Sequence, residues 1–106
     1  MSFSKRLTEW INAFDATLNN TDEVGVRLVN FGEAISFHLR GMSYYNPSLI
    51  MFTGELDNGS QVELIQHVTQ ISILLMKLPR KKTNEPKQPI GFHAIIEDRN
   101  QADSVS

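Results

Sequence analysis

The chain reads as an α+β domain: a mainly antiparallel sheet of about four strands, with an N-terminal helix and a central capped helix packed on one face. Three observations lead there. Apolar residues recur at helical spacing in residues 4–19, they alternate in steps of two from Val24 to Leu39, and the run from Gln61 to Leu78 has a start and a stop signal at its ends. Helix, strands, helix, strand is an order that favours segregated helices on a mainly antiparallel sheet.

In the first segment Leu7, Trp10, Ile11, Phe14 and Leu18 form one apolar face, opposite Lys5, Arg6, Glu9, Asn12 and Asp15. Ser2 or Ser4 is the expected cap, and Asn19-Asn20-Thr21-Asp22 ends the helix with side chains that bond locally. The helix lies on the sheet or reaches across to a neighbouring subunit. From Val24 the spacing becomes two: Val24, Val26 and Leu28, then Ile35, Phe37 and Leu39 alternating with Ser36, His38 and Arg40, as in half-buried strands. Gly25, Gly32 and Gly41 mark expected bulges or turns. After a loop holding Tyr44 and Tyr45, residues 48–56 form a strand whose Leu49-Ile50-Met51-Phe52 run suggests cover on both faces and a central position.

Asn58-Gly59 then turns the chain, and Ser60 with Glu63 reads as a capping box for a helix over residues 61–78, stopped by Pro79. Leu64, Ile65, Val68, Ile71, Ser72, Leu75 and Leu78 form its core stripe. Because residues 71–76 are apolar almost all round, such a helix needs more cover than 106 residues supply, and a homo-oligomer is expected. Residues 79–89 are a polar, basic connection with further prolines, residues 90–96 a last strand, and residues 98–106 a flexible polar tail to a single domain over residues 1–97.

A formal charge of −2 builds in no long-range attraction to nucleic acid, so a long nucleic-acid partner is not expected. The absence of cysteine removes disulfides, thiolate metal sites and cysteine nucleophiles, and fits an intracellular, cytoplasmic life. No apolar run approaches a membrane span, and the N-terminus lacks the apolar stretch of a signal peptide. His38, His67 and His93 are scattered without a carboxylate or second histidine at ligand spacing, so no metal is expected; His67 reads first as a partly buried, hydrogen-bonded residue of the central helix. Isolated glycines make no phosphate loop, no nucleophile elbow is present, and Asp57 and Glu63 are explained by turn and cap. A catalyst is not expected.

Binding has more support. Tyr44, Tyr45 and Phe92 offer flat rings for base stacking, Gln66, His67 and Gln70 offer polar groups for base edges, and Arg80, Lys81 and Lys82 offer cations for phosphates. Taken one by one, the same residue types serve equally as core aromatics, solvated amides and loop lysines.

The runs Tyr45-Asn46-Pro47-Ser48-Leu49-Ile50-Met51-Phe52-Thr53-Gly54, Asn58-Gly59-Ser60-Gln61-Val62-Glu63-Leu64-Ile65-Gln66-His67-Val68-Thr69-Gln70-Ile71-Ser72 and Pro89-Ile90-Gly91-Phe92 resemble a family of short bacterial and phage proteins known as a domain of unknown function. The resemblance covers Val26 to Phe92, with Leu-Ile-Gln-His-Val as its most specific part, and leaves out the first helix and the tail. It implies no activity and no catalytic residue. For small phage proteins of this size, it points to immune evasion in the host cytoplasm, in the manner of anti-CBASS sponges. These hold cyclic di- or trinucleotide signals without cleaving them, and need no cofactor. The rival expectation is an oligomeric interaction module, or an inhibitor of a host defence protein. A nucleotide-handling enzyme is the third.

Overall fold

The computed structural model describes residues 3–30, 32–45, 47–82 and 84–95; the cap expected at Ser2 and the tail at 98–106 lie outside the described residues. One helix, α1 (Phe3–Ala16), is followed by β1 (Asp22–Asn30), β2 (Glu33–Tyr45), β3 (Leu49–Glu55), β4 (Gln61–His67), a 3₁₀ turn (Val68–Gln70), β5 (Leu74–Pro79) and β6 (Gly91–Ile95). The strands form one sheet in the order β4-β3-β2-β1-β5, antiparallel along that path, while β6 joins β2 in parallel. Consecutive strands β1 to β4 are a meander, and β5 returns from the far edge to lie beside β1.

The central helix expected over residues 61–78 is not formed. Its span contains β4, the 3₁₀ turn and β5, which is why the sheet has more strands than the four expected. Three features decide against the helix. Asn58-Gly59 is the turn of a β3–β4 hairpin, with Gly59 at φ 93° and its N–H bonded to the Leu56 carbonyl, while the Leu56 N–H is bonded to the Ser60 carbonyl. Ser60 therefore closes a hairpin instead of capping a helix. Val62, Ile65, Val68, Thr69, Ile71 and Ile73 are β-branched, with a restricted side chain that a pleated surface accommodates better than a helix. Along β4 the burial alternates residue by residue, the signature of a strand with one covered face.

The core lies between α1 and the inner face of the sheet. Leu7 and Ile11 of α1 are buried, with Phe14 and Leu18 packed against the same cluster, and they meet Val24, Val26, Leu28, Phe37, Leu39, Met42, Ile50 and Phe52. Trp10, expected on that apolar face, points away and is 57% exposed.

β2 organises the rest. Its pairing with β3 slips between Leu39 and Gly41, so that Arg40 is an extra residue, a bulge that bends the strand and reverses which side chains point inward. Before it, Phe37 and Leu39 face the core; after it, Met42 and Tyr44 do. The edge of β2 that carries β1 is also shared. β1 pairs with it up to Gly25–His38, and β6 takes over from Gly91–Gly41. Gly54, opposite Leu39, is tightly covered: a Cβ there would lie 2.2 Å from Phe37 Cδ1 and 2.7 Å from the His38 carbonyl oxygen.

Candidate functional site at the seam between β1 and β6

Leu39 and Arg40 sit where β1 has stopped pairing and β6 has not begun. A cleft of about 220 Å³ opens there, with Val24, Leu39 and Ile90 as apolar surface and the 80–90 segment as its outer wall. Four cations, Arg40, Arg80, Lys82 and Lys87, and four carboxylates, Asp15, Glu23, Glu55 and Glu85, line it. Most of this charge is matched internally: Lys87 Nζ is 3.2 Å from Asp15 Oδ1, and Arg40 bridges Glu23 and Glu55 at 3.1 Å each.

Arg80 is held differently. Its guanidinium donates to three backbone carbonyls, those of Asn20 at 2.7 Å, Lys82 at 2.9 Å and Glu85 at 2.5 Å. These contacts fold the 80–85 segment around the guanidinium while leaving two of its five N–H groups uncommitted among the described residues. Lys82, exposed at the same cleft, has no partner among them.

Beside the cleft lies a charged hub on the outer face of the sheet. His38, only 3% exposed, has Nδ1 2.5 Å from Glu23 Oε2 and Nε2 2.9 Å from Asp57 Oδ1. An ionised carboxylate only accepts, so both contacts are hydrogen bonds only when both ring nitrogens carry hydrogen. The two nitrogens point to opposite sides of the ring, which makes His38 a tie between β1 and the β3–β4 turn. Gly25, the strand partner of His38, is closely covered by Leu78: a Cβ there would lie 2.3 Å from Leu78 Cδ1. Lys81 Nζ donates to the Asp57 carbonyl at 2.8 Å and pins the turn from the other side. The sequence offers His38 no carboxylate at ligand spacing, and the fold supplies two from elsewhere along the chain. Glu23 and Asp57 are 15 and 19 residues from His38 in sequence, and strand pairing brings them together.

A model of a family of unknown function, DUF6173, matches residues 3–93. The chain belongs to this family. The match takes in α1, which the resemblance noted from the residues had left out. No curated protein and no solved structure matches the chain. Membership of DUF6173 brings no activity with it, so function has to be read from geometry.

In this DUF6173 chain the residues expected to bind a nucleotide fall into separate places. Tyr44 and Tyr45, expected in a loop, are neighbours on β2 and therefore point to opposite faces. Tyr44 shares the inward row with Ile50 and Gln66, its hydroxyl donating to the Pro47 carbonyl at 2.8 Å. Tyr45 shares the outward row with Leu49 and His67. His67 ends β4 and caps the 3₁₀ turn, Nδ1 accepting from the Thr69 N–H, and Gln70 is the exposed last residue of that turn. Phe92 pairs with Met42 on β6 and packs on the core. Gln66 Oε1 is buried without a partner among the described residues. Of the expected residues, Arg80 and Lys82 share the cleft, and Lys81 is engaged at the turn. Missed by sequence reasoning as site residues were Glu23, His38, Arg40 and Glu55, whereas Lys87 belongs to the basic run that the sequence offers for phosphate. The alternation Phe37-His38-Leu39-Arg40 did carry a signal, since it puts polar groups where a strand's outer face should be.

Among the described residues no helix is long and apolar enough to cross a membrane.

Proposed function

We propose that this protein is a non-catalytic binding protein that takes an anionic group of a small ligand into the cleft at the seam. The observation that supports this is Arg80: a guanidinium fixed by three carbonyls, next to Lys82, with two N–H groups of the one and the ammonium of the other unpartnered among the described residues. A pre-organised fork beside a point charge on a flexible stem suits a phosphate or carboxylate. The other two cations of the cleft are held, Arg40 by Glu23 and Glu55 and Lys87 by Asp15, which leaves Arg80 and Lys82 for one anionic group, and the Glu85 carboxylate on the same wall disfavours a polyanion.

At about 220 Å³ the cleft is smaller than the 300–1,000 Å³ usual for sites that enclose drug-sized ligands. A cyclic di- or trinucleotide would enter by one phosphate, with its bases outside the cleft. In its sharpest form the proposal is sequestration of such a signal by a phage protein in the host cytoplasm. Calorimetric titration with inorganic phosphate, pyrophosphate and cyclic di- and trinucleotides tests it, followed by recovery of the ligand from heat-denatured protein. Binding that falls tenfold or more in Lys82→Gln and in Arg80→Gln, but not in Arg6→Gln on α1, with the ligand recovered intact, supports the reading. Equal affinity in all three variants removes the cleft from it, and an altered ligand replaces binding by catalysis.

A further inference from the structure

We propose that His38 is a proton-operated latch, which ties the β3–β4 turn to β1 while its ring is charged and lets the turn go when the ring is neutral. The proposal stands independently of any ligand in the cleft.

The ring is enclosed, 3% exposed, and both of its nitrogens face carboxylates: Nδ1 that of Glu23 at 2.5 Å, Nε2 that of Asp57 at 2.9 Å. A neutral imidazole has one N–H and one lone pair. It satisfies one carboxylate and turns a lone pair on the other, so the second proton is what makes the second bond. The other charges on the outer face do not replace it. Arg40 of β2 is taken up by the second Glu23 oxygen and by Glu55, the strand partner of His38 on β3. Arg27 of β1 lies opposite Ser36, further along the same face. Lys81, from the segment after β5, bonds the Asp57 carbonyl. From β4 comes the uncharged Gln61, opposite Glu55; from β5 come Met76 and Leu78 over Gly25, while Lys77 pairs with core-facing Val24 and lies on the inner face.

The two carboxylates are not equal. Glu23 is 15% exposed and held by Arg40 besides, whereas the Asp57 side chain is 97% exposed. The proton that leaves is therefore the one on Nε2. Asp57 then turns into water, where its carboxylate is already largely solvated, and the neutral ring keeps its shielded Nδ1–H bond to Glu23. The hairpin's own bonds, Gly59 N–H to the Leu56 carbonyl and Leu56 N–H to the Ser60 carbonyl, do not involve the ring. Opening is confined to Asp57 and to the Lys81 contact that leans on it. The tie is present on the acid side and is lost as pH rises through the titration of the imidazole. One proton thus biases one small two-state element, which is how histidine serves as a switch.

Nitrogen-15 correlation spectra of the full chain across about pH 5–8, the range in which histidines change charge, test this. His67→Gln and His93→Gln, both at exposed positions, identify the His38 ring signals by elimination. At the acid end both His38 nitrogens should carry hydrogen, and at the alkaline end Nδ1 alone. The Asp57 carboxyl signal and the Asn58 and Gly59 amide signals should shift with the same midpoint. Asp57→Asn isolates the latch: an asparagine amide donates as well as accepts, so it bonds Nε2 in either state of the ring. In that variant the turn signals should stay level while His38 still titrates. A His38 ring with the same number of protons across the range overturns the proposal. So does a neutral ring protonated on Nε2, or a turn whose signals shift at another midpoint or still shift in Asp57→Asn.

Discussion

Replacing Glu23 by glutamine removes the carboxylate that His38 and Arg40 share in the hub. The carboxylate is 15% exposed; one oxygen meets the buried His38 ring and the other meets Arg40. A hydrogen bond to a charged group is worth roughly 1.5–3 kcal/mol net, and this contact is shielded on both sides. The Arg40 pair counts for less, about 0.2–1 kcal/mol, because the guanidinium side is 40% exposed and screened by solvent. The sum is about 2–4 kcal/mol, a large share of the ~5–15 kcal/mol typical of a domain. Urea unfolding at fixed protein concentration measures it, with Glu63→Gln on exposed β4 as the charge-matched control at roughly 0.5 kcal/mol or less. His38→Gln and the double variant complete a cycle, in which coupled partners show an interaction of about 0.5–3 kcal/mol. A Glu23→Gln loss no larger than the Glu63→Gln loss, or a cycle that sums to zero, would show that the hub is a crowd of solvated charges without structural weight.

Two more substitutions probe the fold. Trp10→Ala should cost less than about 1 kcal/mol in the same assay, because the indole is exposed; a loss near the ~3–5 kcal/mol of a core tryptophan would put the ring under cover in solution. Gly54→Ala should destabilise by about 1–3 kcal/mol, since the added methyl meets Phe37 and the His38 carbonyl, and a stabilised variant would mean that the β2–β3 contact has slack to absorb it.

The first half of the fold was legible because its strands are half-buried: Val24, Val26 and Leu28 alternate cleanly, and Gly32 at φ 80° sits in the expected turn. The second half was not. The residues 61–78 satisfy a helical stripe and a two-residue alternation about equally well, and Ser60 with Glu63 imitates a capping box. The hairpin signal of Asn58-Gly59 between apolar runs was the better guide, since it was compatible with β4 but also served as a plausible approach to a helix. The all-round apolar character of residues 71–76, which prompted the expectation of an oligomer, belongs in fact to a connection whose Ile71 and Ile73 pack on the core and to an edge strand. In the site, Arg80 and Lys82 could be named from a basic segment, but Glu23 and His38 could not be paired without knowing the β1–β2 register. Nor could Tyr44 and Tyr45 be separated until both were known to lie on one strand.

The bulge at Arg40 divides labour along the chain. The five-strand path is complete by Pro79, and the outer wall of the cleft comes from the 80–90 segment that leads into β6. Apart from Lys81, which holds the β3–β4 turn, and Lys87, which pairs with Asp15 of α1, that segment can therefore change without disturbing the strand register, in the way that loops on a rigid scaffold carry variation. On the binding role proposed above, chains with the same sheet would hold different ligands by rewriting about ten residues, and grafting one such segment onto another chain would transfer the ligand preference with it.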